Sequence, residues 1–242
     1  MSHHRFVWTD LSTFDLSAAR RDYAALFGWG FEGDDGYDFA MSDTTPVAAV
    51  FPMPDRLAAI NMPSFWMSYI HVPDVAAAVA RARGHPDVIV EIAPTEFGEA
   101  ARIALIRDPS GAGVTLYEGP DITPPPGPGR VMARYHHLPD VMQIRDFYAD
   151  LFGWQFVRQP AGPWGAGWPV WQIRHAEGDV IAHAEEVPET VRGPFRYWMP
   201  CFVCAVSPDG LAGLGMQVQS DLGGGRKIIA DQQGASLMIC PA

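Results

Sequence analysis

The chain has 242 residues, 48% of them hydrophobic and 19% charged, with a formal net charge of −11. That is a globular balance, long enough for two cores of ordinary size and too apolar for a disordered chain. The acidic surplus and the lack of a Lys/Arg cluster argue against nucleic acid and anionic membranes as partners.

No apolar run approaches the roughly 20 residues of a membrane span, and Met1-Ser-His-His-Arg5 lacks the apolar stretch of a signal peptide, so a cytoplasmic protein is expected. Residues 8–13 read as a strand, followed by Asp15 at a helix N-cap. Leu16, Ala19, Tyr23 and Leu26 fall at helical spacing, and Gly28 stands where a C-terminal glycine belongs. Strand material rich in glycine and aromatics follows at 37–41 and 46–51. A second strand–helix unit then begins at 68–72, with a cap at Asp74 and an alanine-rich helix running through Arg83 to Gly84. Strands are expected at 88–92, 102–106 and 113–117, the last preceded by the turn Asp108-Pro-Ser-Gly111. Residues 119–129 hold five prolines and three glycines, which makes a stiff extended connector. It divides the chain into 1–119 and 130–242, with 120–129 between them.

Beyond the connector the sequence repeats itself. At a shift of 125, Asp15, Arg20, Tyr23, Ala24, Leu26, Phe27, Gly28 and Trp29 match Asp140, Arg145, Tyr148, Ala149, Leu151, Phe152, Gly153 and Trp154. An echo at a fixed period means two copies of one structural unit. Trp29 and Trp154 should therefore be equivalent, with Phe27 and Phe152 buried under the sheet. Asp140 with Gln143 fits a capping box, and Val141, Ile144, Tyr148 and Leu151 form the apolar stripe. Strands follow at 170–173 and 180–184. A fourth unit starts at Tyr197-Trp-Met199, echoing Phe65-Trp-Met67, and ends at Asp231-Gln-Gln-Gly-Ala235, echoing Asp108-Pro-Ser-Gly-Ala112. Its helix, from Ser207, carries Gly210, Gly213 and Gly215 and should be short. The three cysteines all come late. Cys201 and Cys204 lie three apart in a strand-like run, so they point to opposite faces, cannot jointly chelate a metal, and read as small buried hydrophobes.

Four βαβββ units arranged two by two make an α+β chain that resembles the vicinal oxygen chelate superfamily, which holds glyoxalase I, bleomycin-resistance proteins, extradiol dioxygenases and fosfomycin-resistance enzymes. The resemblance rests on Asp10-Leu-Ser-Thr-Phe-Asp15, Tyr23-Ala-Ala-Leu-Phe-Gly-Trp29, Val72-Pro-Asp74 and Asp108-Pro-Ser-Gly111. It implies two tandem domains, each a half-open, cup-shaped sheet around a cavity. Metal enzymes of the superfamily place His, Gln or Glu on the first strand of a unit and Glu on its last strand. Those positions correspond here to Trp8, Met67, Ala133 and Met199, and to Thr115 and Met238. None is a ligand for a hard metal, so no metal and no other cofactor is expected.

Side chains two apart on a strand share a face. By that parity the first cup presents Trp8, Asp10, Tyr69, His71, Thr115 and Tyr117, and the second presents Tyr135 and His137. Asp10 and His71 either act as an acid–base pair or satisfy nearby backbone; Trp8, Tyr69, Thr115, Tyr117, Tyr135 and His137 are candidate ligand contacts. His136 should face the helix and His137 the cavity, and a pairing of His137 with His183 or of His71 with Asp10 would be an opening for an unconventional metal. Glu118 reads as a solvated residue entering the connector. The tryptophan-rich segment 163–171 either covers a flat ligand, plugs the second cup or covers an interface.

Three functions stay open. The chain binds a small organic molecule without a metal, for sequestration or for acid–base chemistry. Alternatively it is a metal-dependent glyoxalase-like lyase or dioxygenase with non-standard ligands, or a silent structural or partner-binding member. Beyond a small molecule, a second copy in a homodimer is the one partner left open.

Overall fold

The computed structural model describes residues 4–33, 36–160, 167–193, 196–204, 206 and 208–241. The chain runs through four βαβββ units. The first is β1 (Phe6–Thr13), α1 (Leu16–Phe27), β2 (Gly30–Glu32), β3 (Asp38–Ser42) and β4 (Thr45–Pro52), followed by a single turn, α2 (Asp55–Ala58). The second is β5 (Phe65–His71), α3 (Val75–Ala82), β6 (Ile89–Phe97), β7 (Ala101–Arg107) and β8 (Gly113–Glu118). The third is β9 (Val131–Leu138), α4 (Met142–Phe152), β10 (Gln155–Gln159), β11 (Val170–Arg174) and β12 (Val180–Glu186), followed by α5 (Glu189–Arg192). The fourth is β13 (Trp198–Val203), α6 (Pro208–Gly213), β14 (Gln217–Gly223), β15 (Arg226–Ala230) and β16 (Ser236–Cys240). The strands form two eight-stranded mixed sheets of identical order, β2-β3-β4-β1-β5-β8-β7-β6 and β10-β11-β12-β9-β13-β16-β15-β14, and neither closes into a barrel.

By packing, the chain forms two compact units: residues 1–7, 68–122 and 133–198 in one, and 8–67, 123–132 and 199–242 in the other. The first unit has its core between α3, α4 and the strands behind them, around Ile70, Val79, Leu116, Ile144, Phe147 and Trp198. The second has its core around α1 and α6, from Leu11, Tyr23, Trp66, Phe202, Leu211 and Ile239.

Local signals account for the helices. The Asp15 carboxylate accepts from the Ala18 amide at 2.9 Å, and Gly28 closes α1 at φ 73° with its N–H on the Ala24 carbonyl. A left-handed terminus is costly for any residue with a Cβ, so glycine belongs there. Gly153 ends α4 in the same way at φ 70°. The capping box expected at Asp140 does not form. Its carboxylate bonds the Met142 amide at 2.9 Å instead, and α4 begins only there. For α6 the described part is six residues long; Ser207 lies outside the described residues.

The repeat extends into the core. In the first unit Trp198 Nε1 donates to the Tyr148 hydroxyl (2.8 Å), which donates to Asp108 Oδ2 (2.9 Å). Asp108 Oδ1 in turn accepts the Ser110 and Ala112 amides of its own turn. In the second unit Trp66 donates to Tyr23 (3.3 Å), Tyr23 to Asp231 Oδ2 (3.0 Å), and Asp231 Oδ1 accepts from the Gln233 and Ala235 amides. Burial and the neighbouring aspartate push both tyrosine phenols well above their ordinary range.

The indoles of the two LFGW segments are also equivalent: Trp154 Nε1 donates to the His4 carbonyl at 2.8 Å and Trp29 Nε1 to the Gly129 carbonyl at 3.0 Å. The flanking phenylalanines differ from expectation. Phe152 is buried, but Phe27 is only half-buried. The His4 ring stacks on Phe152 with centroids 5.1 Å apart, whereas its counterpart at the same shift is Gly129, which has no side chain to cover Phe27.

Candidate functional site

On β1, Leu11 joins the core under α1, so the alternate residues Trp8, Asp10 and Ser12 turn to the other face. All three are buried. Asp10 lies opposite Ala49 on β4, and Ala49 lies opposite Phe39 on β3. Tyr37 reaches its carboxylate. Trp8 Nε1 donates to the Tyr37 hydroxyl at 3.3 Å and that hydroxyl donates to Asp10 Oδ2 at 3.2 Å. Tyr37 also stacks on Phe51 at 5.8 Å. Sequence parity found Trp8 and Asp10 but not Tyr37, which precedes β3 and has no strand parity to place it.

In the other unit β5 and β8 run parallel, with Tyr69 opposite Thr115 and His71 opposite Tyr117. All four expected side chains are buried on these two strands. The last pair turns to the connector. His71 Nε2 lies 3.1 Å from the Gly119 carbonyl, so that nitrogen carries the proton, and the Tyr117 hydroxyl donates to the Pro120 carbonyl at 3.0 Å. Burial, with Asp121 nearby, pushes the Tyr117 phenol up. Glu118 is not a solvated residue of the connector: it is half-buried, and its carboxylate accepts the Val75 amide at 2.9 Å, capping the start of α3.

The densest polar arrangement lies on β9 and β12 of the same unit. His136 and His137 part as the strand alternation requires. His136 faces the core, with Nε2 3.3 Å from Asp108 Oδ2 and 3.1 Å from the Ser110 hydroxyl. His137 takes the opposite face, with Glu185 directly across on β12, as His183 is across from Tyr135. His137 Nε2 approaches Glu185 Oε2 at 3.4 Å without hydrogen-bond alignment, and both groups are buried. Trp168 Nε1 donates to the same Glu185 oxygen at 3.1 Å. The rings of Tyr135 and His183 stack at 4.9 Å with 14° between their planes. Glu185 was not foreseen: it sits two residues beyond His183, and only the parallel register of β12 on β9 puts it opposite His137. His175 lies in the turn between β11 and β12, where its amide bonds the Asp179 carbonyl. Of the tryptophan-rich segment 163–171, residues 163–166 lie outside the described residues. A separate cavity of about 450 Å³ lies between α1 and α6, where Asp22 is ion-paired with Arg21 at 2.9 Å.

No protein-family profile matches the chain. Two mycobacterial proteins, from Mycobacterium bovis and Mycobacterium tuberculosis and both named "Putative glyoxylase CFP32", are 39% identical over 118 residues, covering 46% of this chain and 44% of theirs. The chain thus spans less than half the length of these curated relatives. The anthracycline biosynthesis protein DauV of Streptomyces sp. is 29% identical over 188 residues, covering 69% of this chain and 66% of its own. Among solved structures, the Mn(II)-bound glyoxalase from Novosphingobium aromaticivorans matches 99% of this chain and 82% of its own at a TM-score of 0.63 and 12% identity. The 2,3-dioxygenase LapB from Pseudomonas sp. KL28 matches 100% and 94% at 0.62 and 12%. The chain shares the fold of these glyoxalase and dioxygenase structures.

The sequence resemblance implies a metal, which must meet the residues present. Its usual donor positions carry an indole, three thioethers, a methyl and a hydroxyl (Trp8, Met67, Met199, Met238, Ala133, Thr115) in place of imidazoles and carboxylates. A hard divalent ion needs several nitrogen or oxygen donors converging on it. Among the described residues no three His, Cys, Asp or Glu side chains do so. The donor set at these positions does not fit such a metal. What these strands offer is aromatic rings with polar tips, and an imidazole set against a buried carboxylate.

Proposed function

We propose that this chain is a member of the vicinal oxygen chelate superfamily that binds a small, flat organic molecule without the superfamily's metal, in the cytoplasm. The observation that carries this reading is the substitution of Trp, Met, Ala and Thr for every usual donor. Aromatic faces with a few placed polar groups favour stacking with directional hydrogen bonds. The similarity to anthracycline biosynthesis proteins of Streptomyces supports a polycyclic aromatic ligand, and the relatives named glyoxylase support small-molecule chemistry. The proposed contacts are Trp8 and Asp10 with Tyr37 in one compact unit, and Tyr69, Thr115, Tyr117, Tyr135 and His137 in the other.

Should the bound molecule be turned over, proton handling would fall to Asp10, to His71, and to His137 backed by Glu185. His71 would first have to release the Gly119 carbonyl, whereas Nδ1 of His137 makes no hydrogen bond among the described residues. That difference favours His137. The division at 119/130, with each half a glyoxalase-like domain, is part of the same proposal.

Elemental analysis together with a thermal-shift screen of polycyclic aromatics tests the reading. The purified protein should carry well under one equivalent of Zn, Ni, Fe or Mn, and a chelator should leave its melting temperature unchanged. A ligand-induced shift lost in His137→Ala and kept in His71→Ala would assign contact to β9 and β12; the reverse would assign it to β5 and β8. Stoichiometric transition metal that disappears in His137→Ala would sink the metal-free reading in favour of a metal-dependent lyase or dioxygenase.

A further inference from the structure

The three cysteines share one compact unit but not one face. Cys204 bonds the Leu26 carbonyl through sulfur at 3.7 Å, and burial together with Cys240 pushes its thiol up to about 11. Cys201 and Cys240 behave differently. They lie on the neighbouring parallel strands β13 and β16, where Cys201 is opposite Met238 and Cys240 opposite Val203, so they form a same-face diagonal pair. The buried Arg226 guanidinium acts on Cys240 as a nearby positive charge. A third sulfur meets Cys240: its Sγ lies 2.9 Å from Met132 Sδ, and also 3.5 Å from the Phe202 carbonyl. Cys201 and Cys240 are buried, but Met132 is 59% exposed.

Two uses of such a cluster can be separated by geometry. Diagonal neighbours on adjacent strands have Cα atoms roughly 7–8 Å apart, beyond the 4.4–6.8 Å span of a relaxed disulfide. A metal ion between the sulfurs needs no such approach. Thiolate and thioether are soft donors that select Cu(I) over hard divalent ions, and the thiolate is the form that binds metal. Two thiolates around a monovalent ion leave one negative charge, which the Arg226 guanidinium offsets, and the exposed Met132 gives a route of entry.

The geometry points to a three-sulfur site for a thiophilic monovalent cation, Cu(I), built from Met132, Cys201 and Cys240, of different chemistry from the proposed ligand contacts. It reverses the obvious reading of the CxxC: Cys201 works with Cys240 across the sheet and not with Cys204 along the strand.

The test is competition for Cu(I) between the reduced full-length protein and a chromophoric chelator such as bicinchoninate, under anaerobic conditions, with X-ray absorption of the loaded protein. One equivalent should be withdrawn from the chelator, with a first coordination shell of sulfur only. Cys201→Ser and Cys240→Ser should each weaken the affinity by roughly tenfold or more, while Cys204→Ser leaves it unchanged. Met132→Leu alters an exposed side chain and keeps the fold, so it serves even where a buried cysteine variant does not fold; it should reduce the sulfur count from three to two. Absence of stoichiometric Cu(I), nitrogen or oxygen in the first shell, an unchanged sulfur count in Met132→Leu, or a loss in Cys204→Ser matching that in Cys240→Ser would each overturn the site.

Discussion

Tyr148 and Asp108, 40 residues apart in sequence, meet in a fully buried hydrogen bond of 2.9 Å, and the second copy of the motif repeats that bond between Tyr23 and Asp231 over 208 residues. Each tyrosine receives an indole N–H and each aspartate fastens a turn, so one carboxylate joins the end of a sheet to the middle of a helix. Removing the phenol strands a buried donor and a buried acceptor, which costs about 1–3 kcal/mol. Tyr148→Phe should therefore lower stability in guanidinium unfolding by about that amount. Tyr23→Phe should cost less, because its indole partner stands at 3.3 Å instead of 2.8 Å. Equal costs would contradict the ranking.

The two aspartates should respond to pH in opposite directions. Burial favours the neutral acid at both. At Asp108 the bonds from His136, Ser110 and Tyr148 outweigh burial and hold the carboxyl below the usual range; at Asp231 burial wins and the carboxyl stands above it. A lowered folded pKa contributes stability above the unfolded value of about 3.9 and loses it as pH falls through the folded one. A raised one contributes below the unfolded value and loses it as pH rises through the folded one. Urea midpoints taken from neutral pH down to about pH 3 should show the gap between wild type and Asp108→Asn narrowing on acidification. The gap between wild type and Asp231→Asn should widen.

His136 occupies the position held by Leu11 in the first copy, at the shift of 125. His136→Leu keeps side-chain volume but removes the imidazole beside Asp108, leaving that carboxylate with one fewer partner in a fully buried setting. A loss of about 1–3 kcal/mol is expected, with the Asp108 carboxyl moving up, visible as a shift of its titration in carbon-detected NMR. An unmoved titration would show that Tyr148 and Ser110 suffice.

The unequal cover on the paired phenylalanines gives a packing test. Phe152→Ala should cost about 3–5 kcal/mol, as for other buried aromatics. Phe27→Ala should cost clearly less, since part of that ring already faces solvent. Filling the gap with a side chain at Gly129 is not the remedy: its φ is +64° and a Cβ there would sit 3.2 Å from Cβ of Phe27.

Much of the architecture could be read before any coordinates. The period-125 echo, the Asp15 and Asp74 caps and the glycine within each LFGW segment are local signals, and local signals survive in a linear string because capping and helix termination depend on residues within a turn of each other. Strand parity likewise separated His136 from His137 and Cys201 from Cys204. Parity has a limit, however, since it assigns a face and not a neighbour.

Every functional pairing found here depends on neighbours. Glu185 faces His137, Tyr37 bridges Trp8 and Asp10, and Cys240 meets Cys201 and Met132, because of parallel registers and loop placements that no local window encodes. The same holds for the core. The echo shows that Tyr23 and Tyr148 are equivalent, yet each bonds an aspartate from a different βαβββ unit, a choice made when apolar helix faces find cover in three dimensions. The sequence by itself determined the repeat and the elements; the tertiary structure alone decided which polar groups meet, because side-chain contact across strands is set by register and packing and not by spacing along the chain.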